Sequence, residues 1–225
     1  MSKDLCNWFT KSCKNKVKPV EPSIPKLDID NIPIYNKPVN VPIPKPRALS
    51  TFSPQKTTIT VFTDGSTINN GKRADIVKGG VGVFFGKNDG RNISKKVVAK
   101  KVTNNVCELM ACILAIETVI NSHDSMSFIE IVIYSDSEYT INSIVKWADN
   151  WAKNDYCKKV KGKLIPVKNQ IYIRKLHDYY KKYNIKFHHV RAHKSAPDAN
   201  KQPEKYKLWY GNYMADKLAR CATEN

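Results

Sequence analysis

The chain has 225 residues, with 38 Lys and Arg against 20 Asp and Glu, a formal net charge of +18. That excess favours a polyanionic partner, nucleic acid or an anionic membrane surface, while a hydrophobic fraction of 41% and a mean hydropathy of −0.48 suit a chain that builds one core. No apolar run approaches the ~18–20 residues of a membrane span, no apolar N-terminal stretch marks a secretory signal, and six cysteines without CxxC pairs argue against a zinc module or a disulfide framework.

Residues 1–56 hold nine of the twelve prolines, with ten basic and four acidic groups. Repeated prolines remove backbone donors and hold a chain near polyproline II, so this segment is read as a disordered basic leader and residues 57–225 as the folded domain. A short helix around Leu5, Trp8 and Phe9 is the one element the leader offers. Its charge also suits a docking arm for nucleic acid or a protein partner. The early Asp4 and the lack of Arg before Arg47 argue against a mitochondrial presequence, and the expected location is intracellular, in cytoplasm or nucleus.

Residues 57–63 are short and β-branched, a strand ending at Asp64-Gly65. Strands follow at 80–86 and 92–102 with Gly90 in the turn between them. Val106, Leu109, Met110, Ile113, Ile116 and Ile120 recur at helical spacing over 105–121. Residues 128–134 form an apolar run broken by one Glu, a strand buried on both faces. Helices are expected at 137–147 and 168–183, a strand at 185–190 and a last helix at 211–222. The order β-β-β-α-β-α-α-β-α describes an α/β domain, a mixed sheet with helices packed on it.

Asp64 and Asp136 both sit where an apolar strand ends, the place where sites gather in open α/β sheets. One such Asp alone would read as a turn or cap residue. Glu108 lies early in an otherwise apolar helix, and Asp216 interrupts the apolar face of the last one. Four acids near one apolar scaffold repel one another, and some stay protonated unless cations neutralise them. Hard oxygen ligands without a Cys or His cluster point to Mg²⁺ or Mn²⁺. Two such ions ~3.5–4 Å apart clamp the attacking and leaving oxygens of a phosphodiester, so the residues point to metal-dependent phosphoryl transfer on nucleic acid.

Phe-Thr-Asp-Gly-Ser (62–66), Thr-Asn-Asn-Val-Cys-Glu-Leu-Met-Ala (103–111), Tyr-Ser-Asp-Ser-Glu-Tyr (134–139) and Asn-Tyr-Met-Ala-Asp-Lys-Leu-Ala (212–219) resemble, in order, the four signature blocks of type 1 ribonuclease H. The resemblance spans about residues 57–221. It implies a ribonuclease H-like fold, with a five-stranded mixed sheet flanked by helices, and hydrolysis of the RNA strand of RNA–DNA hybrids by a monomer. It further implies two Mg²⁺ ions, with Mn²⁺ able to substitute. Asp64 would bridge both ions, with Glu108 and Asp136 on one and Asp216 on the other. His193 matches a family histidine on a mobile loop thought to assist proton transfer or product release. This chain departs by placing Ala192 where the family has Gly, and by a longer following loop at 194–209.

Residues 146–175 carry nine basic and two acidic groups, and Trp147 and Trp151 share a helix face by their spacing of four. The segment resembles the family's basic protrusion, which grips the DNA strand. By the same resemblance Lys101, Thr103 and Asn169 form a pocket for one DNA phosphate, while Asn104, Asn105 and Asn70 reach the minor groove, where 2′-hydroxyls distinguish RNA from DNA. Glu138 stands where other members have a neutral polar residue. Competing readings are a non-catalytic hybrid or double-stranded RNA binding module on the same fold, which the presence of all four acids disfavours, and an integrase or exonuclease cousin, which the Thr-Asn-Asn block and the Trp pair disfavour. A reverse-transcriptase fragment is disfavoured by the initiator Met and the lack of a polymerase segment. Lysine outnumbers arginine 32 to 6, the bias of an AT-rich coding genome, viral or microbial.

Overall fold

The computed structural model describes residues 56–70, 77–99, 101–192 and 194–224. The leader (save Lys56) and His193 lie outside the described residues. The chain runs β1 (Thr57–Ile68), β2 (Lys78–Phe84), β3 (Ile93–Lys96), α1 (Asn104–Asn121), β4 (Ile129–Ser135), α2 (Glu138–Asn142), a π-helical turn (Ser143–Trp147), α3 (Ala148–Ala152), β5 (Cys157–Val160), β6 (Lys163–Pro166), α4 (Gln170–Lys182), β7 (Ile185–His189) and α5 (Pro203–Glu224).

Five strands form one mixed sheet in the order β3-β2-β1-β4-β7. β2 and β3 are antiparallel additions to β1, whereas β4 and β7 run parallel to it. Parallel neighbours need crossovers, and α1 supplies the one between β1 and β4. Side chains alternate between the two faces of a strand, and this alternation divides the sheet. Val61, Val83, Ile131 and Ile133 join Leu109, Ile116 and Val119 of α1, and Ile173 and Leu176 of α4, in the principal core. Each such side chain contributes about 1.5–3 kcal/mol by burial. On the other face, Phe62, Tyr134 and His188 stack across β1, β4 and β7 with ring centroids 5.1 and 5.2 Å apart. Nearby, Glu130 accepts from Lys56 and Lys186, both at 2.8 Å. Lys186 first, then Lys56, lowers its carboxyl to about 2.

That second face also carries α5, whose seat is a floor of glycines. A methyl group on Gly82 would overlap the Ala215 carbonyl, one on Gly80 the Ala219 carbonyl, and one on Gly211 the Phe62 ring. Helix and strands therefore meet backbone to backbone, closer than any larger side chain permits.

Several elements differ from their sequence reading. β1 runs through Asp64-Gly65 to Ile68, because the pairing with β2 continues to Ile68 opposite Lys78. The ladder overrides the turn propensity of Asp-Gly. β3 is only Ile93–Lys96. A hairpin, β5–β6, occupies the basic segment, closed by Lys161 and Gly162 at φ 47° and 80°. Positive φ at both turn residues is what the type I′ turn of a two-residue hairpin demands, and Lys-Gly was its only sequence signal. α5 begins at Pro203 rather than 211, so the last seven of the sixteen residues of the loop expected at 194–209 are helix. Proline at the first helical position and Glu204 in the first turn favour that start, and Gly211 sits inside the helix because the Phe62 ring needs its space. α1 is long and apolar enough to cross a membrane by length and composition, although Glu108 and Glu117 interrupt its apolar residues. Ten of its residues are buried, which is the pattern of a core helix.

Gly82→Ala is expected to cost about 1–3 kcal/mol in denaturant unfolding, since α5 must be displaced from the sheet. Gly90→Ala, with no described residue within 4 Å of the added methyl, is expected to stay within about 0.5 kcal/mol.

Candidate active site

The sheet register places two acids side by side. Thr63 pairs with Ser135 across the parallel ladder, so the next residues, Asp64 and Asp136, emerge together at the carboxyl end of β4. Asp64 pairs with Gly82 on its other side, on the face that holds α5. The third acid comes from the opposite face. Gly65 has no room for a Cβ, which would collide with the Glu108 backbone nitrogen, and this close approach sets the start of α1 against β1. Thr103 caps the helix, its Oγ1 accepting from the Val106 N–H at 3.3 Å.

One carboxylate oxygen from each of Asp64, Glu108 and Asp136 lies within 4.8 Å of the others. Asp64 is 5% exposed and Glu108 4%. Glu108 Oε1 accepts from Asn104 Nδ2 at 3.4 Å, and Asn104 Oδ1 accepts in turn from Thr67 Oγ1 at 3.4 Å. Glu108 Oε2 is buried with no hydrogen-bond partner among the described residues. Asp216 lines the same cleft of about 560 Å³ from α5, together with Asn104, Ser137, Ala192 and Arg220. It stands outside the 4.8 Å cluster, and its Oδ1 accepts from Arg220 Nε at 2.8 Å.

Burial pushes the Asp64 carboxyl up to about 8, reinforced by Asp136 and Asp216 and partly offset by the Gly65 backbone N–H. Burial likewise raises Glu108 well above the usual carboxylate range, with Asp64 and then Asp136 adding to it. Three carboxyls in this space do not all ionise without positive charge. An oxygen-only donor set with one orphaned oxygen fits a hard divalent cation, and these residues are the ones able to hold it.

Of the expected nucleic-acid residues, Trp147 and Trp151 lie with ring centroids 5.6 Å apart, lining a cleft of about 350 Å³ with Lys146 and Asn150. A second groove of about 290 Å³ continues from Trp151 to Cys157, Lys158, Lys159 and Leu164 of the hairpin. The turn before the hairpin is held by a chain the sequence did not reveal. Tyr156 Oη lies 2.7 Å from His177 Nδ1, and His177 Nε2 lies 3.1 Å from Asp149 Oδ1. Asn169, in the left-handed region at φ 62°, donates from Nδ2 to Tyr139 Oη at 3.1 Å. Lys101 and Asn70 are exposed, and Asn105 is half-buried in the first turn of α1. Arg220 was missed by sequence reading, although its spacing of four from Asp216 is the helical ion-pair signal.

Since the folded protein holds the Asp64 and Glu108 protons above the ordinary values of 3.8 and 4.5, their contribution to stability is complete below those values. For Asp64 it is lost as pH rises through about 8. Thermal unfolding in metal-free buffer is therefore expected to show a falling melting temperature from pH 5 to pH 8. Asp64→Asn should flatten that fall and raise the melting temperature at pH 8 by about 2–4 °C, the shift that ~1 kcal/mol produces in a domain of this size, and a slope parallel to the parent's would refute the assignment.

The RNase H family model matches residues 56–224. Ribonuclease H of Schizosaccharomyces pombe is 36% identical over 160 residues, covering 71% of this chain and 51% of the relative. The probable ribonuclease H of Acanthamoeba polyphaga mimivirus is 32% identical over 146 residues, covering 65% of this chain and 58% of the relative. The chain thus spans between half and three-fifths of the length of these curated relatives. Among solved structures, LC9-RNase H1, described as a type 1 RNase H with the type 2 active-site motif, shares the fold at a TM-score of 0.54 and 20% identity, over 75% of this chain and 73% of its own. With the family match running over most of its length, the chain belongs to the RNase H family.

Proposed function

We propose that the chain is an endoribonuclease that hydrolyses the RNA strand of RNA–DNA hybrids. The observation that carries the reading is the buried Asp64–Glu108–Asp136 cluster with its orphaned Glu108 oxygen, in a family whose curated relatives here are named ribonuclease H. Asp64, Glu108, Asp136 and Asp216 would hold two divalent ions, Mg²⁺ with Mn²⁺ able to substitute. Asp64 would serve both, Glu108 and Asp136 one, and Asp216 the other. Such a pair, when bound, activates water and stabilises the leaving oxygen, giving 3′-hydroxyl and 5′-phosphate ends.

The chain's own residues orient and neutralise. Asn104 fixes the Glu108 carboxylate through Oε1, leaving Oε2 for a cation. Arg220 supplies the counter-charge of Asp216. His193 is the residue assigned to move a proton at the leaving oxygen. Trp147, Trp151 and the lysines of β5 and β6 would hold the DNA strand, and Asn70, Asn104 and Asn105 would read the minor groove. Thr103 keeps its hydroxyl hydrogen, since its oxygen accepts the cap bond, and Asn169 keeps one amide hydrogen beyond the one given to Tyr139. Both therefore retain donors for a phosphate alongside Lys101. Affinity resting on phosphates and groove shape gives low sequence specificity.

The test is cleavage of a strand-labelled hybrid, duplex RNA and duplex DNA in Mg²⁺, Mn²⁺ and EDTA. Cutting confined to the RNA of the hybrid, dependent on metal, is expected. Asp136→Asn should lower turnover at least ~10³-fold while hybrid binding in Ca²⁺ persists, and retained turnover would remove Asp136 from the site. His193→Ala is expected to slow turnover by about 10²-fold, the low end for a positioned acid or base. An unchanged rate would assign proton transfer elsewhere.

A further inference from the structure

The first turns of α5 carry a feature that the cleft itself does not use. Trp209, Tyr213, Asp216 and Arg220 recur at i, i+4, i+7 and i+11, one face of a helix. Asp216 and Arg220 line the acidic cleft, so the aromatic residues continue the same face away from it. At ~1.5 Å of rise per residue, Tyr213 lies about 4–5 Å and Trp209 about 10 Å along the axis from Asp216. The Trp209 and Tyr213 rings are stacked at 5.3 Å and 11°, and Tyr206 extends the row at 5.6 Å from Trp209. Tyr210 belongs to the inner side, edge-on to Phe84, whereas Tyr213 is 45% exposed.

The row is fixed in place. Trp209 Nε1 donates to the Lys194 carbonyl at 2.9 Å, and Ala192, two residues earlier, lines the cleft. Lys205 stands one turn before Trp209 and Lys217 one turn after Tyr213, so cations flank the rings. A row of rings flanked by lysines is the composition of a platform for unpaired bases, because every base offers a π-face while duplex bases are already stacked. Tyr or Trp placed only for packing would be covered by neighbouring elements, and Tyr213 is not.

We propose that Tyr206, Trp209 and Tyr213 form a stacking track for single-stranded nucleic acid continuous with the hybrid in the cleft, so that cutting is favoured next to a junction between hybrid and single strand. The occupant follows from continuity with the cleft and from the flanking charge. The proposal rests on the hybrid-nuclease reading for its consequence in cutting, but binding by the track does not need that reading.

The experiment has two arms, both on the full chain. In EDTA, fluorescence anisotropy measures binding of a labelled 12-nucleotide oligo-dT. Trp209→Ala and Tyr213→Ala should each weaken it about 10-fold, the loss typical of one stacking ring, while Trp209→Phe and Tyr213→Phe keep it within about 2-fold. In Mg²⁺, kcat/KM is compared for a blunt hybrid and the same hybrid with single-stranded arms. The parent should prefer the armed substrate by about 10-fold, and the two Ala variants should bring that ratio to about one. Cleavage by the parent with oligo-dT binding equal in parent and Ala variants overturns the track while leaving the nuclease reading intact. Oligo-dT binding lost as described, with no cleavage of any hybrid, upholds the track and overturns the nuclease reading. A dimer in sedimentation that Trp209→Ala dissolves, with oligo-dT binding unchanged, assigns the row to a second copy and overturns the proposal.

Discussion

The approach of α1 to β1 over Gly65 is the contact on which the rest depends. It brings the Glu108 backbone to where a side chain at position 65 would stand, and so sets a buried glutamate beside a buried aspartate. Nothing in the core favours this arrangement. Burial and mutual repulsion raise both carboxyls, and one Glu108 oxygen has no hydrogen-bond partner among the described residues. The surrounding fold has to hold the cluster against its own electrostatics, and it does so with the packed α1 face, in which Leu109, Cys112 and Ile116 are fully buried. A cluster that costs stability without cations is the physical basis for a site that binds them.

The fourth acid comes from the other side of the sheet by a similar device. Asp64 and Phe62 share the face that α5 covers, and Gly80, Gly82 and Gly211 let that helix lie against the strands. Two helices on opposite faces thus meet at the carboxyl end of β1 and β4, one giving Glu108 and the other Asp216. Small residues at three close contacts do the positioning, and the acids themselves contribute none of the packing energy. Asp216 keeps Arg220 as its partner and stands outside the tight cluster of three.

The basic surface is organised separately. The π-helical turn at Ser143–Trp147 sets the direction of α3, and the Tyr156–His177–Asp149 chain ties α3 and α4 to the start of the hairpin. The hairpin strands are almost entirely exposed, so their lysines are held by this base and the turn at Lys161-Gly162 rather than by a core. The hairpin's positive charge is thereby kept in solvent on a fixed support.

The sequence determined the class of fold and the identity of the acids. The β-branched stretch at 57–63, the apolar period of 105–121 and the run at 128–134 are local signals, because strand propensity and helical period are properties of neighbouring residues. It could not show that Asp64-Gly65 continues a strand, since that depends on pairing with residues 78–82 on β2. Nor did it show the hairpin, whose strands are lysine-rich and bury almost nothing, or the early start of α5, where Gly211 reads as a boundary until the Phe62 ring beside it is known. Arg220 on Asp216, the His177 chain and the aromatic row leading from the cleft are likewise contacts of the folded chain. Residue types decide which chemistry is available. Distances, burial and orphaned atoms arise only when elements far apart in sequence are packed together, and these were set by the tertiary structure alone.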